Sequence, residues 1–139
     1  MRSIAALGVL AHAMLLPAAA HAAEPITGQW LTKEGKAIVA IEPCGKQLCG
    51  RIARVIKPNP GGHGVDERNP NPALRNRPIV GLPVLSGFSD AGRDWRGRIY
   101  DPEAGKEYRS IVKKLPDGTL QVQGCIAFFC QSQTWKPAK

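Results

Sequence analysis

Five polar residues crowd into a short stretch of this chain: Asp66, Arg68, Asn69, Arg75 and Arg77. Residues of these types can act in two ways. Guanidinium groups clasp a carboxylate or phosphate through paired hydrogen bonds, and binding residues concentrate on loops carried by rigid scaffolds. Alternatively, aspartate and asparagine side chains bond local backbone and brace a proline-rich turn, while an arginine neutralises the aspartate. Asp66, Asn69, Arg75 and Arg77 are therefore candidate ligand contacts, weighed against that bracing role. Catalysis has less to work with. His63, Asp66, Asp90, Asp94 and several serines show no spacing that sets a nucleophile beside a base and an orienting group. Asp90 and Asp94 are flanked by Arg93 and Arg96, which favours ionised surface pairs over an acid and a base. Gly61-Gly62-His63-Gly64 lacks the lysine and the strand-to-helix setting of a phosphate loop. No enzyme activity and no cofactor is expected.

Sulfur chemistry is better specified. Cys44 and Cys49 enclose four residues, and so do Cys125 and Cys130. Redox pairs usually hold two residues between their thiols, and zinc sites bring shorter spacings with histidine nearby. Neither pattern occurs, so no metal is expected. A hairpin closing over four residues sets its flanking positions opposite each other at about 4.5–5.5 Å, a separation that a disulfide accepts. Bridges Cys44–Cys49 and Cys125–Cys130 are favoured, with a bridge tying the two hairpins together left open. Between the last two cysteines stand Phe128 and Phe129. They either fold back onto the core or project as an apolar knob able to touch a ligand, a membrane or a partner.

Paired cysteines belong in an oxidising compartment, and the first residues supply a route there. Met1-Arg2-Ser3 is a short positive start, 4–16 is nearly all apolar, and Ala20-His21-Ala22 offers small residues around a polar one. That pattern reads as a signal peptide over 1–22, cut after Ala22, with Ala23 nearly as suitable. The apolar run, broken at Pro17, falls short of the roughly 20 residues that a membrane span needs. A periplasmic or secreted location follows. The whole chain carries 19 Lys+Arg against 11 Asp+Glu, a formal net charge of +8, of which the leader removes only Arg2. A basic balance often signals nucleic acid. Export argues against that partner and leaves lipid headgroups, cell-wall polymers or small acids, or simply a solvated surface.

These residues must be positioned by β-structure. Residues 23–139 fit one domain, in which short apolar runs alternate with turn residues and no stretch keeps a helical apolar period. Expected strands are 28–32, 37–42, 49–56, 96–100, 107–115, 119–126 and 130–135. Leu120, Val122 and Ile126 alternate with Gln121, Gln123 and Cys125, giving one core face and one wet face. Residues 57–78 form one long polar loop, longer than the usual connection and so functional or disordered. Residues 81–88 are apolar enough to dock as a short helix or an irregular strand. A meander of such strands either exposes two edges or closes into a small antiparallel barrel. Closure makes neighbours of the first and last strands, so Trp30 and Trp135 are expected to pack in the core.

Gly28-Gln29-Trp30 resembles the Gly-x-Trp signature of lipocalins. A wider set of residues is similar to a bacterial family of small exported proteins of unknown function with a lipocalin-like β-barrel. It comprises the 44–50 turn, Asp66-x-x-Asn69-Pro70, Leu74-Arg75-x-Arg77-Pro78, Gly81-Leu82, Ile99-Tyr100-Asp101-Pro102, Gly105-Lys106 and Ser132-Gln133-Thr134-Trp135. The resemblance implies the fold and supplies no catalytic residues. In lipocalins a basic residue covers the tryptophan; Lys136 is the nearby candidate. These observations lead to an exported lipocalin-like protein that binds a small apolar or amphipathic ligand, with loop arginines available for an acidic head. The competing reading is a cell-envelope module that makes peripheral contact without an internal ligand. Nothing in the sequence fixes an oligomeric state.

Overall fold

The structure is a computed structural model that describes residues 11–19 and 21–139. The positive start and much of the apolar run of the expected signal peptide lie outside the described residues. Among the described residues no helix is long and apolar enough to cross a membrane.

Eight strands follow in chain order: β1 Gly28–Leu31, β2 Ala37–Cys44, β3 Gln47–Val55, β4 Pro83–Asp90, β5 Trp95–Asp101, β6 Lys106–Lys114, β7 Leu120–Ile126 and β8 Phe129–Pro137. Each pairs antiparallel with the next, and β8 returns to β1 to close a barrel. Closure sets Trp30 opposite Pro137 and Leu31 opposite Lys136, and Ala138 N–H donates to Gln29 O. The segment with the ambiguous apolar pattern is β4, whose ladders with both neighbours shift register. Those irregularities accommodate Gly87 and Pro83 in a strand that the alternation rule does not cleanly describe.

The barrel is filled at one end. Phe88, Leu85, Val112, Leu120 and Val122 are fully buried there, together with Trp30 and Trp135, and each large apolar side chain removed from water contributes about 1.5–3 kcal/mol. Phe88 packs so closely over β5 that a Cβ on Gly97 would lie 2.6 Å from its ring. Residues 23–26 seal this end: Ile26 is buried, Trp30 Nε1–H donates to Ile26 O and Trp95 Nε1–H to Glu24 O, both at 2.9 Å. Lys136 is exposed on the outer face, so Trp30 is covered by this N-terminal segment rather than by a basic side chain.

Both favoured disulfides are present, at opposite ends of the barrel. Cys125 and Cys130 are direct partners in the β7–β8 ladder. Cys44 instead faces Gln47, and Cys49 faces Glu42, so that bridge runs diagonally with Cα atoms 5.7 Å apart. The reason is the turn: the hairpin closes over two residues, Gly45 and Lys46, not four. The wet and dry faces of β7 follow expectation at Leu120 and Val122. They fail at Ile126, which is 65% exposed because the strand has there reached the barrel rim, and at Cys125, which is buried at 5% where it bridges to Cys130.

Candidate functional site

At the open end the inner wall changes character. Gly124, Tyr108, Gln131 and Gln133 replace the bulky apolar residues of the closed end, above Val39, Ile52, Val84, Ile99 and Trp135. Together with the rim and the loop residues 57–68, these groups bound a solvent-open cup of about 1040 Å³, comparable to the upper range of small-molecule sites, about 1,000 Å³. The indole Nε1–H of Trp135 donates to Gln133 Oε1 at 2.9 Å and so orients that amide. Ser110 stands on the same inner face, opposite Gly97 in one ladder and Gly124 in the other. Its hydroxyl is buried with no protein partner, a state that costs about 1–3 kcal/mol unless something else bonds to it.

The rim mixes charges. Lys33, Lys36, Lys57 and Arg68 share it with Glu34, Glu67, Asp101 and Glu103, so neither sign prevails. Lys36 pairs with Glu103 at 3.0 Å and with Glu34 at 3.6 Å, and these partners raise its pKa, the hydrogen bond to Glu103 first. His63 Nδ1 lies 2.9 Å from Glu67 Oε2, with both side chains largely exposed. Neither serine nor cysteine lines the cup among the described residues.

One side of the cup is built by residues 57–82, and a buried carboxylate holds that loop. Asp66 has no solvent exposure. Its Oδ1 accepts from the Tyr100 hydroxyl at 2.6 Å, and its Oδ2 accepts from Asn69 Nδ2 at 2.7 Å and Arg77 Nη2 at 3.1 Å. Asp66 N–H donates to Arg77 O, and Arg75 Nε–H donates to Asn69 O at 2.8 Å. Outside this knot, Arg68 Nη1 donates to Glu103 O. The loop is thereby fastened to the β5–β6 corner at two points.

Residues 28–137 match the family described as "Uncharacterized protein conserved in bacteria (DUF2147)". The chain belongs to that family. A solved structure, protein HP1028 from the human pathogen Helicobacter pylori, described as belonging to the lipocalin family, is similar to this DUF2147 chain. Its TM-score is 0.72 and its identity 24%, over 83% of this chain and 84% of that one; at that identity the likeness shows the fold. No curated protein matches significantly.

In this DUF2147 barrel the candidate residues divide. Asp66, Asn69, Arg75 and Arg77 are brought together, but into the knot, and none of the four lines the cup. The bracing alternative describes their geometry. Phe129 lines the cup rim at 83% exposure, and Phe128 is wholly exposed beside it, so the hairpin tip projects instead of folding back. Trp30 and Trp135 lie in one core cluster, and Trp135 also forms cup wall. Sequence reasoning does not select Gln131, Gln133, Tyr108, Gly124 or Tyr100. Tyr100, adjoining the Asp101-Pro102 turn, is visible there only as part of a motif.

Burial, and then the hydrogen bond to Asp66, push the Tyr100 hydroxyl up from 10.0 to about 12. The folded value is the higher one, so this contribution is intact below about pH 10 and is lost as pH rises toward 12. Urea unfolding of wild type and Tyr100→Phe between pH 9 and 12 checks this. Wild type should lose about 2 kcal/mol more across that window than the variant; parallel curves would refute the assignment.

Proposed function

We propose that this barrel is an exported binding protein, periplasmic or secreted, that takes one small amphipathic molecule into its cup and does no chemistry on it. The observation that carries the reading is the unfilled inner wall. Side chains pack the closed end, whereas at the mouth Ala37, Val55, Ile79 and Ile99 are only partly buried, beside Gln131, Gln133 and Tyr108. Eight-stranded barrels are wide enough either to be filled by side chains or to hold one small ligand. A ligand covering apolar wall gains about 25 cal/mol for each Å² removed from water. Its polar end would meet Gln131, Gln133 and Tyr108. Arg75 and Arg77 are committed to the knot, so an acidic head is left to the rim cations, Lys33, Lys57 and Arg68 among them, where the charge is balanced. The disulfides are in keeping with an oxidising compartment.

Titration with two fluorescent probes tests this reading: neutral N-phenyl-1-naphthylamine and anionic 8-anilinonaphthalene-1-sulfonate. The neutral probe is expected to saturate at one per barrel. Gly124→Trp should weaken it at least tenfold while holding the melting temperature, because a Cβ at Gly124 meets Ile99 and Tyr108 only at ordinary contact distance and the ring extends into the cup. Absence of saturable binding, or binding indifferent to Gly124→Trp, would sink the proposal. The exposed Phe128–Phe129 tip favours a second reading as an envelope contact. Under it, Phe128→Ser with Phe129→Ser abolishes co-sedimentation with phosphatidylglycerol vesicles, and Gly124→Trp does not.

A further inference from the structure

The N-terminal segment changes state abruptly within the chain. Residues 11–19, His21 and Ala22 are exposed and carry no regular structure, whereas Ala23 is buried at 7% exposure and Ile26 at 1%. At that boundary Ala23 N donates to the Asp90 carboxylate, 3.0 Å from Oδ1 and 3.2 Å from Oδ2. Asp90 ends β4 and also accepts from Gly92 N–H at 2.7 Å. The surface pairing expected of the two neighbouring aspartates holds for Asp94, which meets Arg96 at 2.9 Å. Asp90 is turned instead toward the chain's own N-terminal segment.

A peptide amide has a single proton, which these two carboxylate oxygens must share. They fit an ammonium, with three protons and a full positive charge. The residues before that nitrogen, Ala20-His21-Ala22, have the small-polar-small pattern that leader peptidases cut. We propose that the chain is processed between Ala22 and Ala23 and that Asp90 is the receptor for the α-ammonium so created. In the cleavage, water adds across the Ala22–Ala23 peptide bond. The carboxylate departs with Ala22, and the amine stays on Ala23 and takes up a proton. The new terminus needs no rearrangement to reach its partner, because Glu24 O and Ile26 O are already held by Trp95 and Trp30. Processing thus replaces a neutral donor to the Asp90 carboxylate with a cationic one, making an ion pair at the sealed end of the barrel. The mature form is held more firmly than its precursor.

Expression of the full chain in an exporting bacterial host, followed by N-terminal sequencing of the disulfide-bonded product, tests the first half. A terminus at Ala23 is expected; a terminus at Glu24, or an uncut leader, overturns the proposal. The second half is read from a cycle of melting temperatures. One arm inserts a single glycine before Ala23 to displace the charge, the other carries Asp90→Asn, and a third protein has both. Each single change should lower the midpoint by about 3–6 °C, the size expected of an interaction near 1 kcal/mol in a domain of this length. The double change should cost no more than either alone. If the two effects add, the ammonium and Asp90 are not partners. If Asp90→Asn fails to fold, an inserted glycine that leaves the wild-type midpoint unmoved excludes the pairing just as firmly.

Discussion

Replacing Asp66 with alanine is expected to destabilise the barrel by about 3–5 kcal/mol, the range for removing one partner of a buried ion pair. The size follows from what is left behind. Tyr100, Asn69 and Arg77 all donate to this carboxylate, and Arg77 Nε is already buried without a partner. A buried donor deprived of its acceptor bears its own desolvation cost of about 1–3 kcal/mol. Arg77 is about one-third exposed, so water can recover part of its loss, and this keeps the sum below three full penalties. Asp66→Asn should fall between wild type and alanine, since the amide keeps one acceptor but turns a donor toward groups that are themselves donors. Urea midpoints measure the cost. Amide hydrogen exchange should show protection lost first over 57–82, and the cup should lose probe affinity because that loop forms one of its walls. A change below about 1 kcal/mol for Asp66→Ala would mean that the knot does not hold the loop.

How much of this is readable from the sequence depends on the range of the interaction. The disulfides are readable because each closes a local hairpin, and the strands because alternation and turn residues act within a few positions. Loop residues Asp66, Asn69, Arg75 and Arg77 stand out as one polar group, but their role turns on a hydroxyl at Tyr100, 34 positions away from Asp66. No local pattern marks that contact. The cup is hidden for a different reason. Gln131 and Gln133 are too polar to stand out as wall residues, yet their register sets them on the inner face with Trp135, opposite Gly124, Val122 and Leu120. Polar residues facing inward are the departure from the rule that a hollow site requires, and such departures gather at functional sites. The N-terminal seal is invisible too, since Ile26 looks like any short apolar residue until Trp30 and Trp95 are seen to hold the backbone beside it.

Gly105→Ala is expected to cost the fold about 3 kcal/mol or more, beyond the usual effect of a surface substitution, because two penalties coincide. Gly105 has φ +64, a conformation in which alanine destabilises by more than the roughly 0.4–1 kcal/mol that it gains by restricting the unfolded chain. Its Cβ would also overlap the carbonyl oxygen of Arg68, which is backbone and cannot swing aside as a side-chain tip does. The corner must therefore move away from the loop, taking with it the Arg68 bond to Glu103 O. Gly118→Ala provides the control, since Gly118 also has positive φ, +86, but nothing lies within 4 Å of its Cβ position. The difference between the two variants in urea midpoint isolates the contact from the backbone strain. If Gly105→Ala and Gly118→Ala cost the same, the loop yields to the added methyl group and the corner is no clamp. If Gly105→Ala costs more and also loosens 57–82 in hydrogen exchange, as Asp66→Ala should, then the Asp66 knot and the Arg68 seat act on one element. The wall of the cup would then be set by two independent grips on a loop whose apolar anchors, Ile79 and Leu82, lie only at its C-terminal end.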